Sequence, residues 1–377
     1  MTMILHKYVS KSKSFHNILV ILANLFFSGI KIFRPKINSY ENKCGIVLLH
    51  RLGDAIFTIP AVDAISKNSK ESLILISFPE TIPIYQSAFP ELECVQFDHS
   101  DFWFSDRVAK PKTRKKIKYL KLKTIYDLTG TVRSATLIAN YPAKKIVGLN
   151  EDYYKTIYTE YISIREKPHL TDNYLDVVRL FSPVSNAKKI IINSSSTGEY
   201  ILIHPFASIK SKEWGLKKFI HLAIGLKRDY DCLIVSSPEQ LAPDVKVELE
   251  KAGLNFKVTE NISDLIEVIK KCTILIGNDS GPVHIANFFG KPTFTIYGPT
   301  NPDYHKPLYG VNKYILKNLP CSPQKNQKLC FTLVGYFCPS YECMESLSLN
   351  EVETSLKKYL IDLNIRPKEK FNVKELL

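Results

Sequence analysis

Short, continuous apolar runs alternate along most of this chain with longer stretches in which apolar residues recur every three or four positions. The short runs are typical of strands buried on both faces, and the longer stretches are typical of amphipathic helices. Strands are predicted at residues 45–50, 73–78, 94–97, 124–128 and 145–148 in the first half, and at 200–204, 232–235, 256–258, 273–276 and 292–297 in the second. Residues 117–122 are predicted to belong to a basic helix. This alternation predicts an α/β fold with parallel sheets covered by helices on both faces.

The alternation stops at about residues 181–198, where the composition is that of a loop. Because a length of 377 residues favours two domains, we interpret this stretch as a linker. The predicted organisation is an N-terminal extension at 1–40, a first domain at 41–182, a linker at 183–199, a second domain at 200–348, and a C-terminal helix and tail at 349–377. Two such α/β halves predict a central cleft between the carboxyl ends of their strands, where ligands bind in such folds.

The extension contains an apolar run at residues 18–30 with lysine and arginine on both sides. This run is shorter than the roughly 20 residues that a transmembrane helix needs. No convincing signal-peptide cleavage site follows it. Two interpretations remain equal: an interfacial helix with basic ends that lies on a membrane surface, and a helix packed on the first domain.

Residues 274–298 predict a strand, a turn, a helix and a second strand, and the turn carries the candidate chemistry. Pro282 suits the first position of the helix, so the amides of Gly281, Val283 and His284 are expected to point outward at its positive end, where a phosphate binds readily. Four residues of this corner are candidate donor-binding residues: Asp279, Ser280, Gly281 and His284. The alternative is a capped helix in which the carboxylate and the hydroxyl only satisfy backbone donors.

Polar residues follow three other predicted strands. Ser208, Lys210 and Lys212 lie on a strand-to-helix loop that is well placed to neutralise a diphosphate, although either lysine has the alternative of being only solvated. Glu239 follows the next strand and is placed to accept hydrogen bonds from ribose hydroxyls; its alternative is an acidic residue in the first turn of a helix. Asp54 follows the first strand of the chain, where a helix cap is the alternative role.

The net charge of +14 indicates an anionic partner such as a phosphorylated substrate or an acidic membrane surface. Nucleic acid is the weakest of these options, because no base-reading motif accompanies the charge. A dinucleotide-dependent dehydrogenase would need a Gly-x-Gly-x-x-Gly turn after the first strand, and Arg51-Leu-Gly-Asp54 does not match it. A non-catalytic protein that binds anionic surfaces is supported by the charge alone.

Four of the eight cysteines cluster near the end of the second domain, at Cys321, Cys330, Cys338 and Cys343. No Cys-x-x-Cys pair is present, so a zinc site is only weakly indicated. We predict structural thiols first, a metal site second and disulfides last.

Three blocks of residues occur in the order seen in one enzyme family. They are Arg51-Leu-Gly-Asp54 with Ile59-Pro60-Ala61, His204-Pro-Phe-Ala-Ser208 with Lys212-Glu-Trp214, and Asn278-Asp-Ser-Gly281 with His284 and Tyr297-Gly-Pro-Thr300. With these blocks the sequence resembles glycosyltransferase family 9, the ADP-heptose:lipopolysaccharide heptosyltransferases, over roughly residues 45–352. The turn at 236–239 departs from the family because it lacks the glycine pair common there, which weakens the assignment of Glu239.

The resemblance implies a GT-B fold, in which two Rossmann-like domains face a central cleft, and an inverting mechanism without a metal ion or other cofactor. The acceptor would bind in the first domain and the nucleotide-sugar donor in the second. On the matching positions, Asp54 would be the catalytic base. Lys212, with the amides around Ser280 and Gly281, would hold the leaving diphosphate, and Ser208 would be a further donor-binding residue. Asp279 and His284 would lie near the donor sugar, and Glu239 near the ribose.

The implied reaction moves a sugar, heptose from ADP-heptose in the first instance, onto a lipopolysaccharide core or a related surface glycan. Another nucleotide sugar is the alternative donor. A lipid-linked acceptor implies a cytoplasmic enzyme at the inner face of the cytoplasmic membrane. The resemblance also implies that a final helix at residues 350–360 crosses back onto the first domain.

Overall fold

The computed structural model describes residues 13–35, 39–150, 152–164, 169–182, 198–323, 327–330, 338 and 340–368. The chain divides into two compact units, residues 1–188 and 189–377. Most of the predicted linker, the basic residues before residue 13, and the end of the tail lie outside the described residues.

The first unit is built on a six-stranded parallel sheet with the strand order β3-β2-β1-β6-β7-β8. Its elements in chain order are α1 (Lys13–Ile32), β1 (Lys43–Leu48), α2 (Leu52–Asn68), β2 (Ser72–Ser77), α3 (Ile82–Ala88), β3 (Glu93–Gln96), the hairpin β4 (Phe102–Trp103) and β5 (Val108–Ala109), α4 (Pro111–Lys118), β6 (Thr124–Asp127), α5 (Val132–Ile138), β7 (Lys145–Asn150), β8 (Glu160–Ser163) and α6 (Leu170–Arg179).

The second unit repeats this plan with a parallel sheet of order β11-β10-β9-β12-β13-β14. Its elements are β9 (Tyr200–His204), α7 (Leu216–Lys227), β10 (Cys232–Ser236), α8 (Pro243–Lys251), β11 (Asn255–Val258), α9 (Ile262–Lys270), β12 (Cys272–Asn278), α10 (Gly281–Phe288), β13 (Thr293–Tyr297), α11 (Pro302–His305), β14 (Asn312–Leu316), α12 (Glu342–Glu345) and α13 (Leu349–Asp362).

Both sheets have the strand order of a Rossmann fold, in which the direction of winding reverses beside the first strand. The reversal lies between β1 and β6 in the first unit and between β9 and β12 in the second. The prediction of two Rossmann-like α/β domains is therefore confirmed. Ligands in such sheets bind beyond the carboxyl ends of the strands at this point, which directs attention to the residues after β1, β9 and β12.

Two sequence-based expectations about helices are wrong. The basic helix expected at 117–122 ends at Lys118, because Pro111 starts it early and Lys121 has a positive φ of 48°. The final helix, α13, does not cross to the first domain. Val352 and Leu356 are fully buried in the core of the second unit, and the helix contacts α7 and β14.

The apolar N-terminal run forms α1, which packs on the first unit through Phe27 and is tied there by Asn24. This is the packed helix of the two alternatives, and a membrane-surface role is compatible with it. Among the described residues, no helix has both the length and the apolar character needed to cross a membrane.

Candidate active site

The candidate site in the second unit begins where β12 gives way to α10. Ser280 is the N-cap residue of α10, but its side chain makes no capping hydrogen bond. Its Oγ lies 3.4 Å from Nδ1 of His204, which ends the neighbouring strand β9. For Ser280, the alternative of a simple helix cap is therefore wrong. The helix starts at Gly281, one residue before the predicted Pro282, so Gly281 occupies the positive end of the helix.

The amide of Val283 has a partner within the chain, contrary to the expectation that it points outward. It donates to the carbonyl oxygen of Ser280 at 3.2 Å. The amide that remains as a candidate for an anion at this end is that of Gly281.

Asp279 is the centre of a buried polar cluster. Its side chain is only 3 % exposed, and Oδ2 accepts hydrogen bonds from Nζ of Lys212 and from Oγ1 of Thr300, each at 2.7 Å. Nε2 of His284 lies 3.6 Å from Oδ1. Burial alone raises the pKa of the Asp279 carboxyl, but Lys212 and His284 lower it by more, so the net pKa lies well below the usual range. Asp279 is thus ionised at neutral pH.

Lys212 is held in place by this carboxylate. It ends a short 3₁₀ turn after β9, and its side chain is 18 % exposed. An ammonium group has three donors, so two remain after the bond to Asp279. The arrangement aims a fixed positive charge at the corner formed by β9, β12 and the start of α10.

Asn278 is a positioning residue that the sequence analysis did not single out. It is fully buried, its Oδ1 accepts from the amide of Trp214 at 3.0 Å, and its Nδ2 donates to the carbonyl oxygen of Pro205 at 2.7 Å. The loop that carries Lys212 is therefore bonded to the end of β12 on both sides of the lysine. An amide side chain at the end of a buried strand was the available signal, because a buried amide needs such partners.

Trp214 anchors the same loop in the core. It is 1 % exposed, and its Nε1 donates to the carbonyl oxygen of Leu347 at 2.8 Å. Thr300 was quoted in the sequence only as part of a motif, yet its hydroxyl completes the Asp279 cluster. Both contacts join residues far apart in the chain, which sequence spacing does not reveal.

His204 is a buried, neutral neighbour of the site. Its side chain is 5 % exposed, and burial lowers its pKa to about 4. At neutral pH the imidazole therefore offers one donor and one acceptor rather than a positive charge.

Two predicted donor-binding residues lie apart from the Asp279 cluster. Ser208 is exposed on the loop after β9. Glu239 is exposed after β10, where its carboxylate accepts from Oγ of Ser237 at 2.8 Å, a bond that lowers the pKa of Glu239. Within the described residues neither side chain bonds to Asp279, Lys212 or His284, although both lie at the carboxyl edge of the second sheet.

Asp54 lies at the corresponding edge of the first sheet. It is the third residue of α2 rather than its N-cap, which is Arg51, and no hydrogen bond to its half-buried carboxylate is found in the described part of the chain. The helix-cap alternative for Asp54 thus has no support. Its negative charge acts on the buried side chains of His50, Tyr85 and Tyr174.

The four clustered cysteines line one small cavity together with Ser211 and Gly298. All four are free thiols. The pKa of Cys343 is raised to about 11, first by burial and then by the other three thiols. Among the described residues, no group of three or more His, Cys, Asp or Glu side chains is arranged to hold a metal ion.

Two Rossmann-like units in one chain are the domains of the GT-B fold. Solved structures share this fold. The Escherichia coli ADP-heptose lps heptosyltransferase II aligns with a TM-score of 0.65 at 14 % identity, covering 85 % of this chain and 99 % of that one. A Veillonella parvula glycosyl transferase of family 9 aligns with a TM-score of 0.67 at 18 % identity, covering 87 % and 100 %.

Sequence comparisons find similarity to one family of enzymes. Residues 184–333 match the family model described as glycosyltransferase family 9 (heptosyltransferase). Lipooligosaccharide heptosyltransferase 2 of Campylobacter jejuni is 24 % identical over 323 residues, which span 81 % of this chain and 96 % of that protein. The lipopolysaccharide core heptosyltransferase OpsX of Haemophilus influenzae is 21 % identical over 70 % of this chain and 79 % of its own length. The chain is thus similar to glycosyltransferase family 9 over residues 184–333 and to heptosyltransferases over most of its length.

Proposed function

We propose that this protein transfers heptose from ADP-heptose to a lipopolysaccharide core or related glycan acceptor, with inversion and without a metal ion. Glycosyl transfer follows from the family. Heptose as the sugar and the lipopolysaccharide core as the acceptor are supported by the similar heptosyltransferases of Campylobacter jejuni and Haemophilus influenzae. ADP-heptose as the donor is supported by the Escherichia coli ADP-heptose lps heptosyltransferase II, which has the same fold.

The observation that carries the proposal is the Lys212–Asp279–Thr300 cluster beside the start of α10. When the bond between the sugar and the diphosphate breaks, negative charge builds up on the departing phosphate oxygen. The two remaining donors of Lys212 and the first amides of α10 are placed to stabilise that charge. Because Asp279 already orders the lysine, no reorganisation is needed as the charge develops.

Asp54 supplies the other half of the chemistry. The acceptor hydroxyl oxygen forms a bond to the anomeric carbon of the sugar, its proton passes to the Asp54 carboxylate, and the diphosphate leaves from the opposite face with the electron pair. One displacement of this kind inverts the configuration at the anomeric carbon. A carboxylate after β1 that accepts no hydrogen bond from the described residues suits a base that must take up a proton.

Metal independence rests on the same groups. Diphosphate leaving groups need positive charge, which a divalent cation or protein groups can supply. Here Lys212 and the positive end of α10 lie at the same corner of the sheet. We propose that they neutralise the negative charge of the diphosphate.

The lipid-linked nature of such an acceptor places the enzyme on the cytoplasmic face of the inner membrane, as a peripheral protein. This location is part of the proposal, and it is supported by the net charge of +14, which favours an anionic surface.

The test is a transfer assay with the purified full-length chain, a detergent-dispersed core acceptor that lacks heptose, and a panel of ADP-heptose, ADP-glucose and UDP-glucose. ADP release and the mass of the glycolipid are measured with Mg²⁺ and with EDTA, and the anomeric configuration of the product is determined by NMR. We expect a heptosylated product of inverted configuration at equal rates in both buffers. If only another nucleotide sugar supports transfer, that compound is the donor and not ADP-heptose. A rate abolished by EDTA would contradict the metal-free mechanism.

A further inference from the structure

The outward side of α1 is apolar although the helix is docked on a folded domain. Eight large side chains are exposed along α1 and at its end: Ile18, Leu19, Ile21, Leu22, Leu25, Phe26, Ile32 and Phe33. Leu25 and Phe26 are each 64 % exposed, and Ile32 and Phe33 are each 80 % exposed. Most are spaced by three or four positions and so share one side of the helix, which we call the outward face. Contiguous apolar patches of this kind mark interaction surfaces.

The inward side of α1 carries the polar contacts. Asn24 Nδ2 donates to the carbonyl oxygen of Asp152 at 2.7 Å, and Asn24 Oδ1 accepts from the amide of Thr156 at 3.2 Å. Just after the helix, Arg34 donates to the carbonyl oxygens of Ala139 and Ile157 at 2.9 and 2.7 Å. The usual polarity of a surface helix is therefore reversed, with hydrogen bonds towards the domain and apolar side chains towards the surroundings.

These inward contacts fix the helix in one orientation. Phe27 is buried and packs edge-on against Tyr154 at a ring-centroid distance of 5.1 Å. The buried amide of Asn24 and the Arg34 bonds hold α1 at both its middle and its end. A flexible tether would have no use for such bonds, whereas a rigid docking surface requires them.

Charge indicates what covers the outward face. Residues 1–40 contain six Lys or Arg residues, at positions 7, 11, 13, 31, 34 and 36, and no Asp or Glu. Lys155 is also exposed, next to the Thr156 contact. Pairing two copies of this segment would bring like charges together, since the segment has six basic and no acidic residues. An anionic lipid surface instead satisfies both the apolar stripe and the positive charge.

We propose that the outward face of α1 lies flat in the headgroup boundary of an anionic membrane and that Asn24 and Arg34 make it a rigid platform for the first unit. The proposal rests on the proposed function, because a lipid-linked acceptor gives the platform its use. It goes further in naming the surface, its orientation and the residues that fix it. Burial of a Leu or Phe side chain contributes roughly 10-fold or more to a partition coefficient, so two of them suffice for a measurable test.

The test is co-sedimentation of the full-length chain with vesicles of phosphatidylcholine, with or without phosphatidylglycerol. The variant Leu25→Glu/Phe26→Glu is compared with Val247→Glu/Val311→Glu, which makes the same change in charge at two exposed apolar positions of the second unit. We expect the first variant to bind anionic vesicles at least 100-fold more weakly than the wild type. The control should bind within a few-fold of it. Both should keep the wild-type melting temperature and wild-type transfer to a detergent-dispersed acceptor.

The anchors are tested by Asn24→Ala/Arg34→Met, which leaves the outward face intact. We expect this variant to bind vesicles but to show a lower ratio of transfer to vesicle-embedded acceptor over transfer to detergent-dispersed acceptor. An unchanged ratio would overturn the platform in favour of a simple tether.

Wild-type-like vesicle binding by Leu25→Glu/Phe26→Glu would overturn the surface assignment. Absence of vesicle binding by the wild type would do the same. A wild-type dimer that this substitution converts to a monomer, without vesicle binding, would assign the face to a second copy of the chain. A failure of the proposed function is distinct from all of these, since it would show as no heptose transfer to the detergent-dispersed acceptor while vesicle binding persists.

Discussion

At the scale of single residues, the candidate site depends on one buried ion pair rather than on several independent ligands. Lys212 is useful to an anion only because Asp279 holds it, and Asp279 is tolerated in its buried position only because Lys212 and Thr300 satisfy it. Removing either partner alone therefore changes stability as well as binding.

The lysine can be separated from its structural role with a paired substitution. Lys212→Ala should weaken ADP binding about 10- to 100-fold, since a charge-assisted hydrogen bond contributes roughly 1.5–3 kcal/mol. It should also destabilise the protein by about 3–5 kcal/mol by leaving Asp279 unpaired. Lys212→Met/Asp279→Asn should recover most of the melting temperature without recovering affinity. The matched control is Lys210→Ala, an exposed lysine two residues away that pairs with Glu213. Calorimetric titration with ADP that shows equal losses for both lysines would contradict the assignment.

A buried carboxylate in the first unit gives a prediction for pH. Asp127 is fully buried and accepts from Thr129, Gly130 and Tyr158, and burial raises its pKa to about 6. A raised folded-state pKa means that its contribution to stability is full below the unfolded pKa of about 4 and is lost as pH rises through 6. As the pH rises from 4 to 7, the free energy of unfolding of Asp127→Asn minus that of the wild type should therefore increase by on the order of 3 kcal/mol.

The measurement is the difference in thermal unfolding between variant and wild type at the two pH values. The difference must be used because His204, with its pKa lowered to about 4, acts in the opposite sense. The contribution of His204 to the stability of the folded protein is present above pH 6.5 and is lost as the pH falls towards 4. A variant-to-wild-type difference that does not vary with pH would contradict the buried, titrating state of Asp127.

At the scale of elements, we expect the start of α10 to set the geometry for a bound diphosphate. Gly281 is the first residue of that helix, and a side chain there would stand between the backbone and the phosphate. Gly281→Val should abolish ADP binding by calorimetry, and Gly281→Ala should weaken it. Gly225→Ala is the matched control within α7, where an added Cβ meets only the end of the Glu353 side chain at 3.3 Å. Normal binding by Gly281→Val would move the diphosphate away from α10.

The same scale shows what the sequence can and cannot predict. The central strands were found because each is a continuous apolar run that is buried on both faces, as in β9 and β13. The edge strands β8 and β14 were missed, because their partly exposed residues lack such a run. The apolar period of α13 predicted a helix, but the period does not say which sheet the helix covers.

The candidate site was predictable in its residue types and not in its bonds. Asp279, Ser280 and Gly281 stand together in the sequence at the end of a strand, so their meeting at the start of α10 follows from local structure. The bonds of Asp279 to Lys212 and Asn278 to Trp214 span 67 and 64 positions. They depend on the parallel pairing of β9 with β12, which periodicity alone does not specify.

At the scale of the whole molecule, the proposed function divides the chemistry between two units that share one architecture. The proposed base follows β1 in the first unit, and the proposed diphosphate cluster follows β9 and β12 in the second. Each group stands at the point where its own sheet reverses direction. Substitutions in one unit are therefore expected to alter one kinetic step and leave the other unchanged.

Asp54→Asn tests this division directly. The substitution keeps the size of the side chain and removes its ability to accept a proton, so kcat should fall by about 10²- to 10⁴-fold, the usual contribution of a general base. Affinity for ADP should stay within about twofold of the wild type, because the groups assigned to the diphosphate all belong to the second unit. Asp63→Asn is the matched control on the same helix, where the carboxylate pairs with Lys67 and faces no proposed substrate. Steady-state transfer rates and ADP titrations on the three proteins separate the outcomes. Near-normal turnover by a folded Asp54→Asn variant would remove Asp54 as the base, and a parallel loss of ADP affinity would mean that the two units do not act separately.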